Sequence, residues 1–122
     1  MRKSLFGIDS AGQEVWLFHL SNAQGMKVSI TNYGGTVTSI SVADRQGCFE
    51  DVVLGFNDLD GYLRPLDTYF GAIVGRFANR IEGATFQLCG RPWHLFPNSG
   101  KNSLHGGKMG FDKRTWSVDG NA

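Results

Sequence analysis

Apolar residues in this chain come in short runs with a period of two, each run ending at a cluster of glycine, asparagine or aspartate. In residues 26–31 (MKVSIT), Met26, Val28 and Ile30 alternate with Lys27, Ser29 and Thr31, which predicts a strand with one buried and one solvated face. Residues 14–20 (EVWLFHL) are aromatic and β-rich, and residues 21–25 between the two runs form a turn cluster, so a hairpin is predicted. A third strand is expected over 36–42 (TVTSISV) after the break at Asn32-Tyr33-Gly34-Gly35. A short fourth one is expected over 51–54 (DVVL) after the polar turn Asp44-Arg45-Gln46-Gly47.

The second half continues in the same style. Residues 57–63 (NDLDGYL) offer Asn57 as a helix N-cap but contain Gly61, which limits them to one helical turn. Residues 68–81 (TYFGAIVGRFANRI) are apolar yet interrupted by Gly71, Gly75, Arg76, Asn79 and Arg80; glycine within such a run marks a bulge or a close approach of backbone. Residues 84–88 (ATFQL) and 91–95 (RPWHL) flank Cys89-Gly90, the two-residue connection of a tight hairpin, with Pro92 suited to an edge strand. Residues 115–118 (TWSV) read as the opening of a further strand. Short strands at turn-separated intervals, with no long amphipathic helix, predict an all-β antiparallel fold, sandwich or barrel, with its functional groups on the connections.

Composition narrows the partners more than the fold. At 122 residues, 41% hydrophobic and 19% charged, the chain has the size of one domain and enough apolar surface for a core rather than for disorder. Seventeen glycines against three prolines fit many tight turns. A net charge of +1 with scattered basic residues gives no electrostatic reason to expect nucleic acid or an anionic membrane surface. Residues 1–10 (MRKSLFGIDS) lack the apolar run of a signal peptide and no stretch has the length of a membrane span, so the expected location is the cytoplasm, with Cys48 and Cys89 as reduced thiols.

Candidate chemistry concentrates in residues 98–112 (NSGKNSLHGGKMGFD). Glycines there permit close approach of main chain to a ligand, while Asn102, Ser103 and His105 carry donors and acceptors that can read hydroxyl groups. Arg76 and Arg80 are expected either to pair with carboxylates such as Glu82 or Asp67 or to reach a ligand. His94, among apolar neighbours, reads as structural. Gly106-Gly107-Lys108 is followed by Met109 and does not make a phosphate-binding loop. The Cys and His spacings match no metal site, and no nucleophile elbow accompanies Ser99 or Ser103.

Three stretches in order carry a resemblance: Asn32-Tyr33-Gly34-Gly35 before a β-rich run, residues 71–81 (GAIVGRFANRI), and residues 102–112 (NSLHGGKMGFD) followed by Lys113 and Trp116. With DVVLGF and DLDGYL between them, they are similar to the aldose 1-epimerase (galactose mutarotase) family over nearly the whole chain. The resemblance implies an antiparallel β-sandwich and a cofactor-free isomerase that interconverts the anomers of free aldoses, galactose and glucose especially. Carried across by position, it implies substrate contacts at Asn79, Arg80 and His105, with Arg76 not among them. It also implies that the general base glutamate, a second histidine and a substrate-binding aspartate lie downstream. Residues 1–122 are therefore expected to be the amino-terminal part of a single domain. As an isolated piece it should be inactive and prone to associate through uncovered sheet edges. A noncatalytic carbohydrate-binding β-sandwich is the alternative reading.

Overall fold

The computed structural model describes residues 2–64 and 68–119. They fall into two compact units, Met1–Ala72 with Thr115–Ala122, and Ile73–Arg114.

The first unit is a five-stranded antiparallel meander in chain order: β1 (Arg2–Ile8), β2 (Glu14–Ser21), β3 (Lys27–Thr31), β4 (Val37–Ala43) and β5 (Phe49–Asp51). Three of its hairpins turn on the same local device. Asp9, Asn22 and Asp44 each use one side-chain oxygen, Oδ1, to accept main-chain N–H groups two and four residues on. The distances are 2.9 and 2.9 Å for Asp9, 3.0 and 3.0 Å for Asn22, and 2.8 and 2.9 Å for Asp44. The third residue after each is a glycine at positive φ (Gly12, Gly25, Gly47) whose N–H returns to the backbone carbonyl of the Asx residue. Asx-turns and left-handed glycines thus close each loop at one length, and loop length fixes strand register.

Two irregularities bend the sheet. Register shifts between Leu5 and Gly7, where the Cβ that any other residue would bring at position 7 would sit 2.8 Å from Leu59 Cδ2. Leu59 is buried and belongs to α1 (Leu59–Leu63), so the missing side chain lets the helix lie on β1. The second shift, between Ser29 and Ile30, leaves Thr38 as the extra residue of β4, and its hydroxyl donates to Ser29 O at 3.2 Å. An aromatic cluster packs near α1: Tyr62 stands edge-on to Phe56 at 5.1 Å, with Phe6 and Phe70 alongside, and accepts the Phe56 N–H on its hydroxyl.

Asn32 ties the unit together. Its Oδ1 accepts from Trp16 N at 2.7 Å and its Nδ2 donates to Trp116 O at 3.1 Å. Its own N–H donates to Trp16 O, and its carbonyl accepts from Trp116 N. One side chain therefore links β2 to Trp116, 84 positions after Asn32 itself.

The expected strands appear with adjusted limits. The fourth is centred earlier, at Phe49–Asp51 rather than 51–54. There Asp51 Oδ1 takes the N–H groups of Val53 and Ile40, so the side chain replaces the ladder beyond it. Asp58, not Asn57, caps α1, accepting from Gly61 N. Thr31, on the face expected to be wet, is fully buried: the 32–36 turn folds over it, and its hydroxyl accepts from Tyr33 N. β1 was not predicted, since RKSLFGI shows no alternation. Of the strand expected over 115–118, Thr115 forms a single bridge to Tyr33 and Trp116 bonds Asn32 through its main chain.

The second unit holds two ribbons. β7 (Thr85–Leu88) and β8 (Arg91–His94) form the predicted hairpin, with Cys89 and Gly90 both at positive φ, as a type I′ turn requires. Pro92 lies on an edge strand as expected, because among the described residues β8 pairs with β7 alone. β6 (Arg80–Ile81) pairs with β9 (Ser103–Leu104).

Replacing Asn32 by Ala should lower the unfolding free energy by about 1–3 kcal/mol, because it strands the Trp16 amide and the Trp116 carbonyl. Asn32→Asp should also destabilise by setting a carboxylate oxygen against Trp116 O. Urea midpoints equal to that of the parent chain would refute the linking role. Acid should weaken the fold as well. The Thr115 hydroxyl, 2.6 Å from Asp9 Oδ2, and then the Gln13 amide hold the Asp9 carboxyl below the usual carboxylate range; the Val53 and Ile40 amides do the same for Asp51. Both groups bind protons less readily folded than unfolded. Their stabilisation is complete above the ordinary carboxylate range of about 4 and is lost as pH falls through the lower folded values. Thr115→Val should raise the Asp9 titration midpoint in carboxyl NMR, and an unmoved midpoint would contradict this account.

Candidate functional site

The candidate site is built where β6 meets β9. Their register pairs Arg80 with Leu104 and Ile81 with Ser103, which carries Asn79 alongside His105 just past the ribbon's end. Two hydrogen bonds join that pair. The Asn79 amide donates to His105 Nδ1 at 2.9 Å, and the His105 amide donates to Asn79 O at 3.1 Å. Both residues take left-handed backbone, φ 64° at Asn79 and 52° at His105, a conformation that Asn and His adopt more readily than most residues. Arg80 completes the group: its Nη1 donates to Asn79 Oδ1 at a long 3.5 Å. All three residues singled out from sequence are thus contiguous, joined through Asn79.

Arg80 is exposed and His105 half-buried. Among the described residues the ion pair present is Lys113 with Asp112, at 3.5 Å, so Glu82 holds neither arginine. The other carboxylate considered for them, Asp67, lies outside the described residues. Arg76 instead lies over the Phe111 ring at 5.5 Å. The Arg80 guanidinium accordingly keeps donors available to a ligand.

The polar residues around His105 have other employment. Asn98 brackets Leu104, its Oδ1 accepting from Leu104 N at 2.7 Å and its Nδ2 donating to Leu104 O at 2.9 Å. Asn102 Oδ1 accepts from Gly83 N at 3.0 Å, and Ser103 is buried. Asn102 Oδ1 thus holds the backbone of Gly83, and burial withdraws Ser103, on the strand that leads to His105, from the surface. Nothing in the sequence separated the polar residues that build this loop from His105, since Asn98, Asn102, Ser103 and His105 all occur in one Gly/Asn/Ser run.

The glycines serve packing in the same way. A Cβ at Gly106 would collide with Gly75 O, one at Gly75 would lie 2.5 Å from the Phe111 ring, and one at Gly110 would lie 2.6 Å from His105 O. Phe111 N also donates to Gly75 O. Close approach is real at these positions, and it is backbone against its own chain. The other histidines lie elsewhere: His94 is exposed across from Thr85, and His19 sits between the hydroxyls of Ser4 and Ser29. Among the described residues no three His, Cys, Asp or Glu side chains group as a metal site, and no helix is long and apolar enough to cross a membrane.

Chemically, the arrangement offers a delocalised cation and an imidazole edge, both rich in directed N–H groups, on a backbone braced by reciprocal hydrogen bonds. Such a pair suits oxygen-rich neutral ligands and oxygen atoms that gain charge during a reaction.

The family model for aldose 1-epimerase matches residues 17–122. The chain is 52% identical to galactose mutarotase of Bos taurus over 100 residues, 82% of this chain and 29% of the bovine protein. It is 47% identical to galactose mutarotase of Homo sapiens over 116 residues, 94% of this chain and 33% of that one. Aldose 1-epimerase of Escherichia coli is 36% identical over 107 residues, covering 88% and 31%. Among solved structures, an aldose epimerase homologue from C. elegans superposes with a TM-score of 0.81 at 33% identity, over 87% of this chain and 32% of its own. Galactose 1-epimerase from Lactobacillus acidophilus gives 0.75 at 25% identity, over 97% and 34%. The chain spans about a third of the length of the curated relatives it matches. With the antiparallel fold and the family model over most of its length in agreement, this chain belongs to the aldose 1-epimerase family.

Proposed function

We propose that residues 1–122 form the amino-terminal part of a single aldose 1-epimerase domain. The full-length enzyme interconverts the α and β anomers of free aldohexoses such as galactose and glucose, without a cofactor, in the cytoplasm. The observation that carries the reading is the joint held by Asn79, which bonds the His105 imidazole on one side and meets the Arg80 guanidinium on the other. The names of the relatives support the reaction, and two exposed, unpaired thiols are in keeping with a reducing compartment.

Anomer exchange requires a proton to leave the anomeric hydroxyl and another to reach the ring oxygen, so that the C1–O5 bond breaks and the ring recloses on the other face. A positioned base and acid perform those transfers. Arg80 and His105 supply something different. Their N–H groups hold sugar oxygens in register and favour charge developing on oxygen as the ring opens. Asn79 aligns both and offers its own carboxamide as a further contact. The proton-moving groups, a glutamate base and a second histidine, together with a substrate-binding aspartate, belong to polypeptide beyond residue 122.

Polarimetry of freshly dissolved α-galactose tests the division of labour. The isolated chain should leave the rate at that of buffer, whereas a rate above buffer that His105→Ala abolishes would overturn the proposal. In the full-length enzyme, Arg80→Ala and His105→Ala should each lower kcat/KM by about 100-fold, and undiminished turnover in both would remove these residues from the site. The edge strands β1 and β5, with Leu5 and Ile8 exposed on β1, should make the isolated chain associate. Light scattering that stays monomeric across concentration would contradict this.

A further inference from the structure

We propose that the main chain of Asn79 fixes the tautomer of His105. The imidazole then meets its ligand as an Nε2–H donor, and Asn79 acts as a positioning residue through its backbone as well as through its side chain. The proposal rests on the sugar-site reading only where it names the ligand; the tautomer itself follows from this chain's own geometry.

A neutral imidazole carries one proton, on one of two nitrogens, and the partner of one nitrogen decides the state of the other. At His105 Nδ1 the donor is a main-chain amide. The Asn79 N–H points at Nδ1 from 2.9 Å and has no acceptor character, so Nδ1 must present its lone pair. The proton therefore resides on Nε2. The opposite tautomer would set two N–H groups against each other at hydrogen-bond distance. Rotating the ring to avoid this would leave the Asn79 amide without its acceptor. The ring's own backbone is pinned as well, because the His105 amide donates to Asn79 O at 3.1 Å.

This clasp depends on an unusual backbone at both partners. Asn79 at φ 64° and His105 at φ 52° turn their amides toward each other. Glycine tolerates that conformation freely and Asn comparatively well, whereas a β-branched residue does not. The choice of Asn at position 79 therefore bears on the imidazole 26 residues away, before any contact of its carboxamide with a ligand is considered.

Two consequences follow for chemistry. With the Nδ1 lone pair engaged by the Asn79 amide and Nε2 protonated, the neutral His105 turns no lone pair toward a ligand, so it does not act as the base toward the anomeric hydroxyl. Since Arg80 is also a donor without acceptors, the two groups together select ligand atoms that can accept: an ether ring oxygen, or a hydroxyl turned to present its lone pairs. A ligand offering only N–H donors at this place would be refused.

The test is a two-bond proton–nitrogen NMR correlation on the 122-residue chain with nitrogen-15-labelled histidine, recorded well above the imidazole titration range and without sugar. His105 is assigned by the signal lost in His105→Gln. Its Nδ1 should resonate as an unprotonated acceptor and its Nε2 as a protonated nitrogen, with none of the tautomer averaging expected of exposed His94. Asn79→Gly, which keeps the amide and the backbone conformation, should preserve the pattern. An ester bond replacing the residue-79 amide should return His105 to averaging. A protonated Nδ1, averaging like that of His94 in the parent chain, or an unchanged pattern in the ester variant would overturn the proposal. Because no sugar is present, the result stands apart from the functional reading. A fixed tautomer in a chain whose full-length form epimerises no aldose would fail that reading alone.

Discussion

The structure rests on one kind of contact, a side-chain acceptor taking main-chain N–H groups that strand pairing leaves over. Asp9, Asn22 and Asp44 close three hairpins this way; Asp51 ends a strand, Asp58 starts the helix, Asn98 braces its own loop, and Asn32 and Asn102 anchor segments distant in sequence. An amide deprived of water and left unpaired costs about 1–3 kcal/mol. With Val15 and Thr31 the fully enclosed side chains among the described residues, those satisfied amides carry much of the definition of the fold. Apolar burial brings the strands together, and Asx side chains decide where each one stops.

The site is a special case of the same rule. His105 Nδ1 does for the Asn79 amide what Asn98 Oδ1 does for Leu104. The imidazole is therefore part of the loop's framework, and in the proposed site its second nitrogen is aimed by the first. Around it, Gly75, Gly106 and Gly110 remove the Cβ atoms that would hold the backbone layers apart. Rigidity of this kind has a functional return, since donors fixed before a ligand arrives need no reorganisation when charge appears on its oxygens. Arg80, exposed and held only by a long contact to Asn79, is the adjustable member of the pair.

Local rules were legible from residue order. The strand over 27–31, the Cys89-Gly90 hairpin with Pro92 at its edge, the single turn of helix at Gly61 and the close approaches at Gly71 and Gly75 each follow from interactions within a few residues or from one missing Cβ. The antiparallel fold class and the family were visible for the same reason. So was the grouping of Asn79, Arg80 and His105 as candidates, through motifs that lie along the chain.

What residue order left open was the partner of each polar group once distant segments meet. Asn98, Asn102 and His105 share one stretch and similar chemistry, yet Asn98 and Asn102 hold backbone in place while His105 is both held and presented. Thr31 reads as solvent-facing by alternation and is buried because a turn closes over it, and β1 forms without alternation because β2 offers it a partner. Period and turn chemistry are properties of neighbours along the chain, so the sequence alone determined the elements. Which acceptor takes which amide across 26 or 84 residues depends on geometry that exists only after those elements have packed, and tertiary structure alone decided it.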